Sequence, residues 1–305
     1  MSAKKPVQII GVPLDLGANM RGANMGPPAI RIADLHHKLG VLGYQVSDLG
    51  DLDVPIRDTL PDEAVIQKYT PQITRVCDEL HLKVRDALAG GKTPLVIGGD
   101  HSIAVGTISG VSRYYREKGE AIGLIWVDAH ADLNTPKSSP SGNVHGMPLS
   151  VVLGQGHKPL VDIGGAAVRV KPENVALVGI RTLDGDEKDI CKRSGIRYFT
   201  MREIDERGMA AVMRDALEVA TKGTAAVHLS FDMDAIDPLY APGVSTTVTG
   251  GLSYREAHLA LEMLADTGKL ASMEFVELNP MNDHAHATAR LLVELAQSAL
   301  GKSIV

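Results

Sequence analysis

Short apolar runs recur along the chain at residues 7–12, 94–97, 121–127, 175–178, 225–231 and 271–276. Unbroken runs of this length, rich in Val, Ile and Leu, have the signature of strands buried on both faces. Between them, apolar positions step by three and four. Ile66, Tyr69, Ile73, Cys77, Leu80, Val84 and Leu88 make one such stripe, in which Pro71 predicts a kink or a split. Met209, Val212, Met213, Ala216 and Leu217 make a second, and a last helix is expected over about residues 284–300. Strands alternating with helices predict βαβ units and a single-domain α/β fold, its mainly parallel sheet covered by helices on both faces. No repeat, low-complexity tract or linker divides the chain, so residues 1–305 are expected to form that one domain.

Two long loops rich in Gly, Pro, Asn and Ser interrupt the pattern, at residues 13–28 and 134–148. Long loops inside an α/β domain are usually functional, and in open parallel sheets the site lies beyond the carboxyl ends of the strands. The residues that follow each strand are therefore where chemistry is expected.

Composition narrows the classes. With 44% hydrophobic and 22% charged residues over a length of 305, the chain can bury a large core, and neither a disordered nor a fibrous protein fits. Aromatic residues make up 4%, so the core must rest on Ala, Val, Leu, Ile and 11 Met. Lys and Arg number 31 against 37 Asp and Glu, a net charge of −6 without a basic block, which disfavours nucleic-acid and anionic-membrane partners. Cys77 and Cys191 lie far apart and read as buried thiols in a reducing compartment, not as a disulfide scaffold or a zinc motif. The first apolar run is too short for a signal-peptide core or a membrane span and reads as the first strand of a cytoplasmic protein.

Three strand ends carry the candidate chemistry. Residues 128–134 read D-A-H-A-D-L-N, and in extended chain Asp128, His130 and Asp132 would share one face. The same parity pairs Asp232 with Asp234, whereas Asp237 falls on the opposite parity and reads as a turn residue. G-G-D-H at residues 98–101 supplies a tight turn that presents His101 to the same rim. Four carboxylates at one spot would repel unless cations sat among them. Their −4 balances two divalent ions, and one bridging hydroxide leaves −1, which favours a cationic substrate. Oxygen-rich ligation with two imidazoles and no thiolate suits Mn²⁺ better than structural zinc. Two such metals can hold a nucleophilic hydroxide at neutral pH.

In this order, G-G-D-H-S, D-A-H-A-D-L-N-T, S-G-N-V-H-G-M-P, S-F-D-M-D-A-I-D-P and F-V-E-L-N-P resemble the arginase family of ureohydrolases, over about residues 10–300. The chain's short end after its last helix looks like the bacterial members. The resemblance implies an arginase/deacetylase-like three-layer α/β/α domain, two Mn²⁺ per subunit and a homo-oligomer, trimer or hexamer. It also implies hydrolysis of L-arginine to L-ornithine and urea by a hydroxide bridging the two manganese ions. By motif position, His101, Asp128, Asp132 and Asp232 would hold one manganese and His130, Asp128, Asp232 and Asp234 the other, with Asp128 and Asp232 bridging. His145 matches the proton shuttle, Glu277 the carboxylate that pairs with the guanidinium, and Thr246 the hydroxyl beside it. His145, Glu277 and the ligand Asp132 form the implied catalytic set. Asn134, Ser141 and Asn143 match groups that hold the substrate α-carboxylate, and Asp184, with Glu187 behind it, those facing the α-amino group.

Plainer roles stay open for several of these residues: a surface ion pair for Glu277, a turn hydroxyl for Thr246, a helix-start cap for Asp184 and Glu187. Ser245 and Thr247 flank Thr246 where family members commonly have Gly and Pro, and Ala131 stands where Gly or Thr is usual. Arg21 and Gly26-Pro27 resemble the family's N-terminal loop and read as structural. The rival readings are agmatinase or guanidinobutyrase on the same metals, a deacetylase-like enzyme, and a non-catalytic metal-binding protein. The polar loop at residues 134–148 argues against the first, the two metal clusters against the second, and intact His145 and Glu277 against the third.

Overall fold

The computed structural model describes residues 4–66, 68–165 and 168–303. The ends of the expected 1–305 domain and the side chain of Ile66 lie outside the described residues. Eight strands form one sheet: β1 (Val7–Val12), β2 (Val46–Asp51), β3 (Thr93–Gly98), β4 (Ile122–Val127), β5 (Val175–Ile180), β6 (Arg197–Thr200), β7 (Ala226–Asp232) and β8 (Leu270–Val276). Their order is β2-β1-β3-β8-β7-β4-β5-β6, and every pairing is parallel.

Six strands coincide with the apolar runs. The two that do not, β2 and β6, are the edges of the sheet. An edge strand has one covered side, so β2 reads V-S-D-L-G-D and is largely exposed, and β6 is the four residues R-Y-F-T.

Alternate residues of the inner strands feed two separate cores. Ile125, Val127, Val178, Leu229, Phe231 and Phe275 point to one face, under helices that include α3 (Met209–Thr221), α4 (Tyr254–Asp266) and α5 (Ala287–Ala299). Ile10, Val12, Val96, Leu124, Trp126 and Leu177 point to the other, under α1 (Thr70–Ala89) and α2 (Ala104–Arg116). The apolar stripe is split just before Pro71, one of the two outcomes expected, and within α1 Pro71 causes no further break. It sits in the first turn, where a missing N–H breaks no helical bond, and the short helix Asp62–Ile66 is separated from α1 by a turn through Tyr69, whose φ is 54°. Cys77 and Cys191 are buried, unpaired thiols, and burial pushes Cys77 up to about 12.

The strand order positions the site. After β3 the chain leaves room for β8 and β7 before adding β4, so β3, β8, β7, β4 and β5 lie side by side. The segments carrying His101, Glu277, Asp232, Asp128 and Asp184 follow these strands in that spatial order and meet along one rim.

Candidate active site

Each strand end is turned by a local device. Gly99 passes so close to residue 14 that a Cβ would lie 1.8 Å from the Leu14 carbonyl oxygen, which leaves glycine alone at this position. Asp100 then caps the short turn His101–Ile103 through Ser102 N–H and swings His101 inward. The alternation expected after β4 and β7 is not how the carboxylates converge. Asp128 accepts from His130 N–H at 2.7 Å, and Asp132 sits in the left-handed region at φ 52°. Asp232 accepts from Asp234 N–H at 2.7 Å and starts a turn of 3₁₀ helix, Met233–Ala235. The grouping is as expected, but turns and side-chain caps create it, not extended chain. Asp237 anchors a loop, accepting from Leu239, Gly250 and Gly251 N–H.

The result is two adjoining cages. His101 Nδ1 lies 3.2, 3.1 and 3.2 Å from Oδ2 of Asp128, Asp132 and Asp232. His130 Nδ1 lies 3.1 Å from Asp234 Oδ2 and 3.5 Å from Asp128 Oδ1. Asp128 thus gives one oxygen to each imidazole. Asp232 turns one oxygen to His101, and its other oxygen holds the Asp234 N–H.

These residues fit a pair of cations. The buried His101 Nδ1 makes no hydrogen bond although three carboxylate oxygens surround it, which is the geometry of a ligand cage. Burial, then the charge of Asp128, pushes Asp132 up to about 6; burial and neighbouring carboxylates raise Asp232 and Asp234 as well. Burial would lower His130, but Asp234 and Asp128 outweigh it and push it up to about 12. The cluster gathers protons wherever it lacks other positive charge, and the hard oxygen-rich donor set suits Mn²⁺-like ions.

Glu277 and His145 stand beside the cages. Glu277, at φ 63°, is pinned by its N–H to Gly99 carbonyl at 2.8 Å. Its Oε1 accepts from His101 N–H at 2.9 Å and pairs with His145 Nδ1 at 3.1 Å. Its Oε2 is buried and has no partner. Burial works against the Glu277 charge, yet the His145 bond and the His101 N–H lower its pKa overall. Burial also works against the His145 charge, and the same pairing pushes His145 up to about 9. Glu277 is therefore a buried anion, not a surface ion pair.

A cavity of about 220 Å³ opens over these groups, lined by His101, His130, Asp132, Asp232, Asp234, His145 and Glu277. All the expected substrate contacts line it too: Asn134, Ser141, Asn143, Asp184, Glu187 and Thr246. Several of them are already engaged. Asn134 donates to Asp184 Oδ2 at 2.9 Å and accepts from Ser138 Oγ at 2.9 Å, and Ser141 Oγ accepts from Asn143 N–H at 3.2 Å. Asp184 and Glu187 form the capping box of the helix Gly185–Arg193, in which Glu187 Oε2 accepts from Asp184 N–H at 3.2 Å. Glu187 Oε1 takes Leu133 N–H at 2.9 Å, and burial raises this carboxyl to about 7. Capping and cavity lining coexist in both residues. Thr246 keeps its place despite its altered neighbours: Ser245 Oγ accepts from Asn279, and Arg181 donates to the carbonyls of Val248, Asp234 and Ala235, clamping this loop to the one that carries Asp234.

Sequence reasoning missed Asp100. This buried carboxylate accepts from Gly17 N–H at 2.7 Å and from the Ser102 hydroxyl, and Gly17 carbonyl in turn accepts from His145 N–H at 3.2 Å. The loop at 13–28 is thereby a brace between the His101 turn and the His145 loop. The polarity of Asp100 within G-G-D-H was the available signal.

Fold and site together define a parallel-sheet α/β protein with a carboxylate and imidazole cluster, fit to hold a pair of cations, at its strand ends. A model of the arginase family matches residues 5–301. The chain is 48% identical to the arginase of Brevibacillus brevis over 304 residues, 99% of each chain, and 47% identical to that of Bacillus subtilis over 301 residues, 99% of each. The native structure of Bacillus caldovelox arginase superposes with a TM-score of 0.94 at 45% identity, covering 99% of this chain and 100% of that one. The chain belongs to the arginase family.

Proposed function

We propose that the protein is a ureohydrolase that converts L-arginine to L-ornithine and urea, with two Mn²⁺ per subunit. The observation that carries this reading is Glu277, a buried anionic carboxylate with one oxygen unpartnered, which lines the same cavity as the residues of the double cage. A guanidinium is the head group that such an oxygen holds by a charge-assisted bond. When bound, the two cations lower the pKa of water so that a hydroxide nucleophile is available at neutral pH and supply Lewis acidity. His101, Asp128, Asp132 and Asp232 would hold one of them, and His130, Asp128, Asp232 and Asp234 the other.

The chain's own residues do the rest. Glu277 orients the guanidinium carbon above the cages, with Thr246 beside it, which fixes the approach of the nucleophile. His145, kept protonated by Glu277, is the acid that gives the leaving amine its proton. Asn134, Ser141 and Asn143 present hydrogen-bonding groups to the α-carboxylate, and Asp184, supported by Glu187, faces the α-amino group. Agmatine lacks the carboxylate and would leave these groups unmatched, so kcat/KM is expected to favour arginine by at least about 10²–10³. Urea release from arginine, agmatine and guanidinobutyrate measures this. Equal values would replace arginase activity with a general ureohydrolase.

The reading extends to one catalytic domain over residues 1–305, in the cytoplasm, without nucleic-acid or membrane partners. No helix among the described residues is long and apolar enough to cross a membrane. A homo-oligomer, trimer or hexamer, follows from the family, and its surfaces would be symmetric. Light scattering at micromolar concentration should return a multiple of 32.4 kDa, and a monomer would refute the assembly without touching the chemistry.

A further inference from the structure

The core between the sheet and α2 contains a polar stripe that the chemistry above does not use. His228 and Ser230 on β7 stand in register with Ser272 and Glu274 on β8, and all four side chains are fully buried. A carboxylate in such a layer is costly unless its oxygens are occupied. Only one oxygen of Glu274 is so held: Oε1 accepts from Ser230 Oγ at 2.7 Å and lies 3.5 Å from His228 Nε2, whereas Oε2 is buried with no hydrogen-bond partner. His228 Nδ1 in turn meets Ser272 Oγ at 2.8 Å. Ser230 Oγ is also 2.9 Å from His101 Nε2, and the His101 ring is stacked on Trp126 with centroids 4.2 Å apart.

Proton bookkeeping gives this chain one direction. A serine hydroxyl has a single hydrogen, and a carboxylate can only accept. Ser230 therefore gives its hydrogen to Glu274 and presents a lone pair to His101, so the imidazole must carry its hydrogen on Nε2. Nδ1 then faces Asp128, Asp132 and Asp232 as a bare lone pair. The opposite direction would press two acceptors together at 2.7 Å with no hydrogen between them. We infer that Glu274 is a positioning residue for the first cation site, holding His101 through the Ser230 hydroxyl in the one tautomer that can ligate. Outer partners of this kind set both the ring orientation and the basicity of a ligating histidine.

The inference rests on the cation-binding reading of the double cage, and its test is direct metal binding by the full-length protein, independent of turnover. Chelated protein is titrated with Mn²⁺, following free Mn²⁺ by electron paramagnetic resonance, for the unmodified chain, Glu274→Gln, Ser230→Ala and the double variant. A glutamine amide can donate to Ser230, which reverses the chain and drives the His101 proton onto Nδ1, where the cation belongs. One of the two sites should weaken by about 10–100-fold in each single variant while the other keeps its affinity. The double variant should lose no more than the weaker single one, because both changes cut one relay. Ser230→Thr, which retains the hydroxyl, should restore the affinity. Two sites of unmodified affinity in both Glu274→Gln and Ser230→Ala would overturn the inference; a buried acid with a purely structural part would shift the melting temperature and leave both affinities alone. If Glu274→Gln does not fold, Ser230→Ala carries the comparison, since it leaves the carboxylate beside His228. An unmodified chain that takes up no Mn²⁺ would instead refute the cage reading itself, and the relay with it.

Discussion

Asp132 and Glu277 are both non-glycine residues in the left-handed backbone region, one at φ 52° and the other at φ 63°. Such conformations cost about 1–3 kcal/mol each and persist where the surroundings over-determine them. Here Asp132 carbonyl accepts from Leu149 and Ser150 N–H and Glu277 N–H is tied to Gly99, so each side chain is delivered by a held backbone. Glu277→Gln tests what the delivered carboxylate does. A lost charge-assisted bond is worth about 1.5–3 kcal/mol, so kcat/KM for arginine should fall by at least about 10-fold while Mn²⁺ stoichiometry stays at that of the unmodified protein. His145 would lose the partner that raises it, so the alkaline limb of the rate profile should move to lower pH. An unchanged profile would separate His145 from Glu277 and reduce their contact to packing. The ligands were legible because each lies within a few residues of a strand end, in a motif denser in Asp and His than a turn alone requires. Glu274, Ser230 and Asp100 were not, because their meaning lies in partners far away in sequence: Ser230 is 129 residues from His101 and 44 from Glu274. Read alone, Ser230 and Glu274 are single polar residues inside apolar runs, and Asp100 is one polar residue shortly after another.

Elements show the same division. Inner strands were visible as apolar runs because both of their faces are buried, whereas β2 and β6 carry edge composition that resembles loop. Their order could not be read, since the insertion of β8 and β7 between β3 and β4 depends on crossovers that leave no local mark. The helix Gly185–Arg193 joins element and site most directly, because its N-cap is a cavity wall. Substitutions at Asp184 should separate the two duties. Asparagine caps as well as aspartate, so Asp184→Asn should keep the melting temperature and raise KM for arginine through loss of charge. Asp184→Ala should lose about 0.5–2 kcal/mol of stability in addition, visible in urea denaturation. If both variants melted alike and bound arginine like the unmodified chain, Asp184 would be neither an effective cap nor a substrate contact.

For the whole molecule, the cluster makes folding and cation binding one equilibrium. In metal-free protein, burial raises Asp100 and Glu187 to about 7 and, with the Asp128 charge, Asp132 to about 6, while Glu277 lifts His145 to about 9. For every one of these groups the folded pKa lies above the unfolded value, so the folded state holds more protons between the two. Their stabilising contribution is complete below the unfolded pKa and is lost as pH rises through the folded one, from about pH 4 to 7 for the acids and from about 6.5 to 9 for the histidine. Each group that retains its extra proton contributes a slope of about 1.4 kcal/mol per pH unit. Chelated protein should therefore melt at steadily lower temperature from pH 5 to pH 9. Cation binding works in the opposite direction, because the ligands must be deprotonated to coordinate and affinity rises with pH. At a free Mn²⁺ concentration 100 times Kd the folded state gains about 2.7 kcal/mol per site, and raising pH at fixed Mn²⁺ increases that gain. Thermal scans of chelated and Mn²⁺-loaded protein across this range should give curves that diverge upward in pH. Parallel curves would mean that the carboxylates and imidazoles at the strand ends exchange protons without holding the cations that the chemistry needs.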